Sequence, residues 1–193
     1  DGAQPLLPTT NVRGLVRPLL WDLASGQRID LPFAGMDGDI YANDWSPDGK
    51  RLLLTQYMKA QYQLHIYDID KSTLTPLRHP GGSFNGGYFY DDTTIFVHHQ
   101  DAQHPTQLVA LDAATGAQKR VVLSVAQPPA SRPWRSVTFP GARGETVQGW
   151  VATPEGTGPW PTILETHGGP TAVQTEVFSP GAQAWLDHGF AFF

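Results

Sequence analysis

The chain has 193 residues, a formal charge of −5, 40% hydrophobic and only 16% charged residues, and no cysteine. That length allows one or two domains with a real core. The mild acidity argues against a nucleic-acid or anionic-membrane surface, and the missing Cys excludes disulfides, a thiolate nucleophile and a Cys-based zinc site.

Gly and Pro number 20 and 17, and aromatics reach 11%, a mix that suits a turn-rich β protein. No apolar run approaches the ~18 residues of a membrane span. The opening, DGAQPLLPTT, lacks the charged and apolar regions of a signal peptide, so a cytoplasmic location is expected, although a removed leader could precede it.

Three segments then repeat. They are Leu19-Leu-Trp-Asp-Leu-Ala-Ser-Gly26, Leu64-His-Ile-Tyr-Asp-Ile-Asp-Lys-Ser72 and Leu108-Val-Ala-Leu-Asp-Ala-Ala-Thr-Gly116. Their aspartates fall at 22, 68 and 112, giving spacings of 68 − 22 = 46 and 112 − 68 = 44. Each reads as a strand, an Asp-stabilised turn and a further strand. A second element is interleaved. Asp44-Trp-Ser-Pro-Asp-Gly-Lys50 leads into Arg51-Leu-Leu-Leu-Thr55, and Tyr88-Phe-Tyr-Asp-Asp92 leads into Thr93-Thr-Ile-Phe-Val97. Pro47 presets the turn and Gly49 takes positive φ. A period near 44 with about four short strands per unit predicts β-propeller blades. Trp21, Trp45, Tyr67, Tyr88 and Phe89 are expected between blades. Asp22, Asp68 and Asp112 are expected to form turns and not to act as catalytic acids. His98, His99 and His104 predict no metal site, because neighbouring strand residues point to opposite faces.

Ser124–Pro133, SVAQPPASRP, reads as an interdomain linker. Beyond it Arg135–Phe139 alternates, Gly141–Gly144 turns, and Thr146–Ala152 pairs back. Thr162–Thr166 is a short strand leading into His167-Gly-Gly-Pro170. Ser179 and Pro180 predict a helix start, with Ala182, Trp185 and Leu186 as its apolar stripe and Gly189 ending it in the left-handed conformation. Phe190–Phe193 begins another strand. Hairpin, strand, glycine loop, helix and strand predict the opening of an α/β domain with a mixed sheet. The apolar Gly189-Phe-Ala-Phe-Phe193 leads us to expect that the sequence is a piece of something longer.

WSPDGKRLLL resembles the WD40-like blade of the TolB and prolyl-oligopeptidase propellers. The later motifs Gln148-Gly-Trp-Val151, Trp160-Pro161, His167-Gly-Gly-Pro170 and Trp185 through Gly189-Phe190 resemble the start of the α/β-hydrolase domain in the prolyl oligopeptidase family, serine peptidase family S9. The acylaminoacyl-peptidase-like branch is the nearest. The resemblance covers essentially the whole chain. It implies β-propeller blades, antiparallel, four-stranded and WD40-like, followed by the N-terminal part of an α/β-hydrolase domain. Residues 1–123 would be a partial propeller, with outer strands of one blade and then blades at about 38–80 and 82–123. Residues 124–133 would be the linker and 134–193 the truncated start of the peptidase domain.

The implied function is hydrolysis of short peptides or acyl-peptides by a Ser-Asp-His triad, with no cofactor and no metal. Gly169 would contribute an N–H to the oxyanion hole, with Gly168 and His167 shaping the loop; His167 is not taken as the triad histidine. No Gly-x-Ser-x-Gly elbow is present. Gly81-Gly-Ser-Phe-Asn85 comes nearest but lacks the last glycine. All triad members are therefore expected after Phe193, and the 193 residues alone are expected to be inactive. The expected partner is a short peptide, not nucleic acid or membrane. Exposed half-blades and a cut sheet point to self-association or to a complementary chain carrying the rest of the hydrolase domain. Two alternatives stay open. One is a carboxylesterase, which shares the loop; the other is a non-catalytic TolB-like propeller that binds partners.

Overall fold

A computed structural model describes residues 4–12, 14–33, 35–126, 128–129, 131–169 and 172–193. The first sheet has three antiparallel strands in the order β1 (Thr9–Thr10), β2 (Arg17–Trp21) and β3 (Arg28–Asp30). Between β2 and β3, Asp22 Oδ1 accepts from the amides of Ala24 and Ser25, at 2.8 and 3.1 Å, and Gly26 takes φ +71°. The aspartate thus closes the turn with its side chain. Those two amides, Ser25 first, hold its carboxyl below the usual range.

Two four-stranded antiparallel meanders follow. The first is β4 (Asp39–Trp45), β5 (Arg51–Met58), β6 (Gln61–Asp68) and β7 (Thr73–Pro76). The second is β8 (Ser83–Asp91), β9 (Thr94–Gln100), β10 (Gln107–Asp112) and β11 (Gln118–Leu123). In both, each strand pairs with its chain neighbours. The periodic aspartates close the turns after the third strands. Asp68 Oδ1 accepts from Lys71 N at 2.9 Å, and Asp112 Oδ1 from Ala114 N and Thr115 N at 3.1 and 2.9 Å. The turn between β4 and β5 is built by Ser46, whose hydroxyl donates to Asp48 and accepts from Arg51 N at 2.9 Å. Gly49 there takes φ +70°.

Leu52, Leu53 and Leu54 of β5 are all fully buried. A strand covered on one face would alternate; a run buried throughout needs cover on both. Leu52 and Leu54 pack with Leu20, Phe33, Ile40 and Tyr67, toward the three-stranded sheet. Leu53 points the other way, into Phe84, Phe89, Ile95, Val97, Val109 and Leu111 of the second meander. Gly87 allows that approach, since a Cβ there would lie 3.1 Å from Leu53 Cδ2. Polar contacts also cross between the meanders. Asp44 Oδ2 accepts from Phe89 N at 2.8 Å, and Arg51 Nη2 donates to the Asp92 carbonyl at 2.9 Å.

Not every aromatic expected between blades lies there. Tyr67 and Phe89 are buried and Trp45 packs on the core. Trp21 and Tyr88 are 44% and 46% exposed. Adjacent strand residues face opposite sides, so Phe89 takes the inter-sheet position and Tyr88 turns outward onto the Phe96 ring. At the end of β2 the core positions belong to Leu19 and Leu20, which leaves Trp21 outside. His98 and His99 divide as the strand period requires, the first exposed and the second buried.

β12 (Arg135–Pro140) and β13 (Thr146–Val151) form a hairpin. β14 (Thr162–Ile163) pairs in parallel with β15 (Ala191–Phe192), and the chain between them carries α1 (Pro180–Asp187). Ala152 and Phe192 exchange backbone bonds at 3.0 Å, which joins the hairpin to the parallel pair. Ser179 caps the helix, its hydroxyl accepting from Ala182 N at 3.2 Å, and Gly189 follows at φ +83°. Ala182 and Leu186 bury with Ala152 and Phe192. Trp185, expected in the same stripe, is 44% exposed. It lies about 100° around the helix from Leu186 and packs against Phe190 instead.

Candidate active-site loop and its docking on the second blade

The parallel ladder extends past β14. Phe193 N donates to the Ile163 carbonyl at 2.9 Å, and Glu165 N to the Phe193 carbonyl at 2.7 Å. Residues 166–169 follow in the chain, beyond the carboxyl end of β14. Open parallel sheets place ligands at that end, because the loops there diverge and leave a crevice.

His167, Gly168 and Gly169 are exposed. Gly169 takes φ +83°, where a side chain would be strained. A Cβ at Gly168 would meet nothing within 4 Å. Among the described residues, neither glycine amide donates to a backbone carbonyl. His167 Nδ1 lies 3.2 Å from the Gly168 carbonyl, so this side chain folds back on the loop. The last two residues of the motif region, Pro170 and Thr171, lie outside the described residues. An exposed positive-φ amide with no backbone partner is free to meet an oxygen from another molecule, which is what oxyanion binding requires.

The chain downstream is fastened on both sides. The indole of Trp150, a buried residue of β13, donates to the Gln174 carbonyl at 3.0 Å. Ser83 Oγ, at the start of β8, donates to the Glu176 carbonyl at 2.5 Å, and Ala102 N donates to Glu176 Oε1 at 3.2 Å. Ser83, the serine nearest to an elbow pattern, is thus buried and used as a donor to main chain. Just before β12 the chain is tied at two adjacent residues. Gln103 Nε2 donates to the Ser131 carbonyl at 3.1 Å, and Arg132 N to Gln183 Oε1 at 2.8 Å.

A cavity of about 470 Å³ opens where the blade meets this segment, lined by Tyr62, Asn85, His98, Gln100, Thr106 and Thr175 among others. Phe84 and His99 also line it, their rings tilted with centroids 4.8 Å apart, and Phe84 meets the His79 ring edge-on at 4.4 Å. His79 Nε2 accepts from Leu64 N at 3.0 Å, which leaves Nδ1 to donate to the Pro80 carbonyl at 2.7 Å. His99 Nε2 donates to the Gly81 carbonyl at 2.7 Å. These rings are spent on main-chain bonds, and burial holds the His79 pKa below its ordinary value. Among the described residues no group of three or more His, Cys, Asp or Glu is placed to hold a metal ion.

Glu176, Ser83 and the Trp150–Gln174 bond had no sequence signal. Residues 172–178 have no regular period, and their partners lie far away in the chain.

Two four-stranded antiparallel meanders followed by a hairpin, a parallel pair and a capped helix define the class of fold. Solved structures share it. A puromycin hydrolase superposes with TM-score 0.78 at 18% identity, covering 97% of this chain and 31% of that one. A Mycobacterium tuberculosis puromycin-hydrolyzing peptidase gives 0.76 at 17%, covering 98% and 31%. A prolyl endopeptidase gives 0.77 at 16%, covering 96% and 29%. The chain therefore has the fold of one stretch of prolyl oligopeptidase-type peptidases, as the sequence resemblance anticipated. It spans about three-tenths of their length. No protein-family model and no curated protein matches it.

Proposed function

We propose that these residues belong to a propeller-capped serine peptidase of the prolyl oligopeptidase family, closest to its acylaminoacyl-peptidase-like branch. In this reading residues 1–123 are propeller, 124–133 the linker and 134–193 the opening of the α/β-hydrolase domain. The observation that carries it is the placing of Gly169, an exposed positive-φ amide at the carboxyl end of β14, on a chain that docks directly on a blade.

A serine hydroxyl attacks the scissile carbonyl of a short peptide or acyl-peptide. The carbonyl oxygen gains negative charge, and the Gly169 N–H donates to it. Such a preorganised donor contributes about 3 kcal/mol to the barrier reduction. Gly168 and His167 hold the shape of the loop. The serine, its histidine and aspartate, and the second donor come from parts of the protein outside these residues, because the sequence holds no Gly-x-Ser-x-Gly. The propeller screens the cleft from large folded substrates.

A carboxylesterase shares the loop chemistry. The docking of Glu176 on the second blade favours the peptidase, since it gives the blades a place beside the loop. Hydrolysis of an acyl-peptide anilide and of a p-nitrophenyl ester by the full-length protein separates the two. The anilide is expected to be cleaved, with loss of activity on serine-directed phosphonate treatment. Ester cleavage without anilide cleavage would establish the esterase. The 193 residues alone are expected to turn over neither.

A further inference from the structure

Residues 172–178 have no regular secondary structure, yet Glu176 offers both its carbonyl and a side-chain oxygen to the second blade, at Ser83 Oγ and at Ala102 N. Two residues earlier the same segment is bonded to Trp150 of the hairpin. The chain leaving the glycine loop is therefore clamped between the hairpin and the propeller. We propose that Glu176 is a positioning residue: docked on Ser83 and Ala102, it ties the segment after Gly168 and Gly169 to the blade, so that the propeller holds the loop in its working geometry. This rests on the reading of the loop as an oxyanion cradle, but the docking is measurable without it.

The clamp's chemistry is lopsided. Glu176 is half-buried and near Asp101 of the β9–β10 loop, itself paired with His104 at 2.9 Å, and His99 of β9. Burial pushes its carboxyl above the ordinary value; the Ala102 amide opposes this, Asp101 adds to it and His99 opposes it. An acid whose pKa rises on docking docks better when protonated. The clamp is thus tightest at acid pH and loosens as pH rises through the raised pKa. A neutral glutamine of the same shape keeps the acceptor for Ala102 and removes the penalty of burying a charge.

Amide hydrogen exchange of the full-length protein over residues 165–178 tests this, near pH 4 and near pH 8, as protection factors. Wild type is expected to lose protection at the higher pH. Glu176→Gln is expected to keep it at both. Glu176→Ala is expected to lose about tenfold relative to wild type at the lower pH, the equivalent of one hydrogen bond, and less at the higher pH, where wild type is already loosened; Ser83→Ala is expected to lose less than Glu176→Ala at the lower pH. In anilide hydrolysis, kcat is expected to fall in Glu176→Ala and to be restored in Glu176→Gln, with KM nearly unchanged. Wild-type protection in both alanine variants, or a glutamine variant that behaves like alanine, overturns the clamp. Protection that follows the expected pattern in a protein that cleaves no peptide sustains the clamp and removes the peptidase reading; cleavage with indifferent protection does the reverse.

Discussion

At His65 the ring is almost wholly buried, with Nε2 3.0 Å from Gln56 Oε1 and Nδ1 without a partner among the described residues. Burial first, and the neighbouring His79 second, push its pKa down to about 4 from an ordinary 6.5. Between those values the unfolded chain holds a proton that the folded chain does not, so stability falls as pH drops through this window and is recovered above it. Denaturant unfolding near pH 7 and near pH 4 is expected to show wild type losing roughly 2–3 kcal/mol more than His65→Gln. Equal losses would mean that the ring is charged or solvated in the fold. The sequence placed this histidine in a strand but gave no sign of its desolvation, which depends on Gln56 and on the flanking strands β5 and β7 and not on its own neighbours in the chain.

Among elements, β5 is a strand covered on both faces. Leu53 is fully buried between the meanders, whereas Leu123, at the end of the outer strand β11, is 69% exposed. Leu53→Ala is expected to cost about 2–5 kcal/mol, and Leu123→Ala under about 0.5 kcal/mol, in unfolding free energy. Comparable costs would contradict the two-faced packing. The blade strands were legible because one unit was seen twice. Asp68 and Asp112 lie 44 residues apart and end equivalent strands, so composition at the turns and alternation in the strands agreed. The helix was legible from Ser179, Pro180 and Gly189, whose backbone roles are local. Trp185 was misplaced because a three-residue spacing marks a face only to within a sixth of a turn. Trp21 and Tyr88 were misplaced because aromatic bulk was read as burial, when register decides which neighbour points inward.

Over the whole molecule, the order of parts was legible and their contacts were not. The change from a 44-residue repeat to hairpin, strand, glycine loop and helix marked where one architecture gives way to another. Nothing in the sequence showed that Glu176 returns to β8 and the β9–β10 loop, since Ser83 and Glu176 lie 176 − 83 = 93 residues apart. That return puts the glycine loop and the blade in one unit, and the peptidase proposal depends on it. The most direct measurement is a crystal structure of the full-length protein with a peptidyl boronate bound to its nucleophile. The expected result is a boronate oxygen within about 3 Å of the Gly169 amide nitrogen. A boronate seated elsewhere, with the Gly169 amide bonded to protein or facing open solvent, would contradict it.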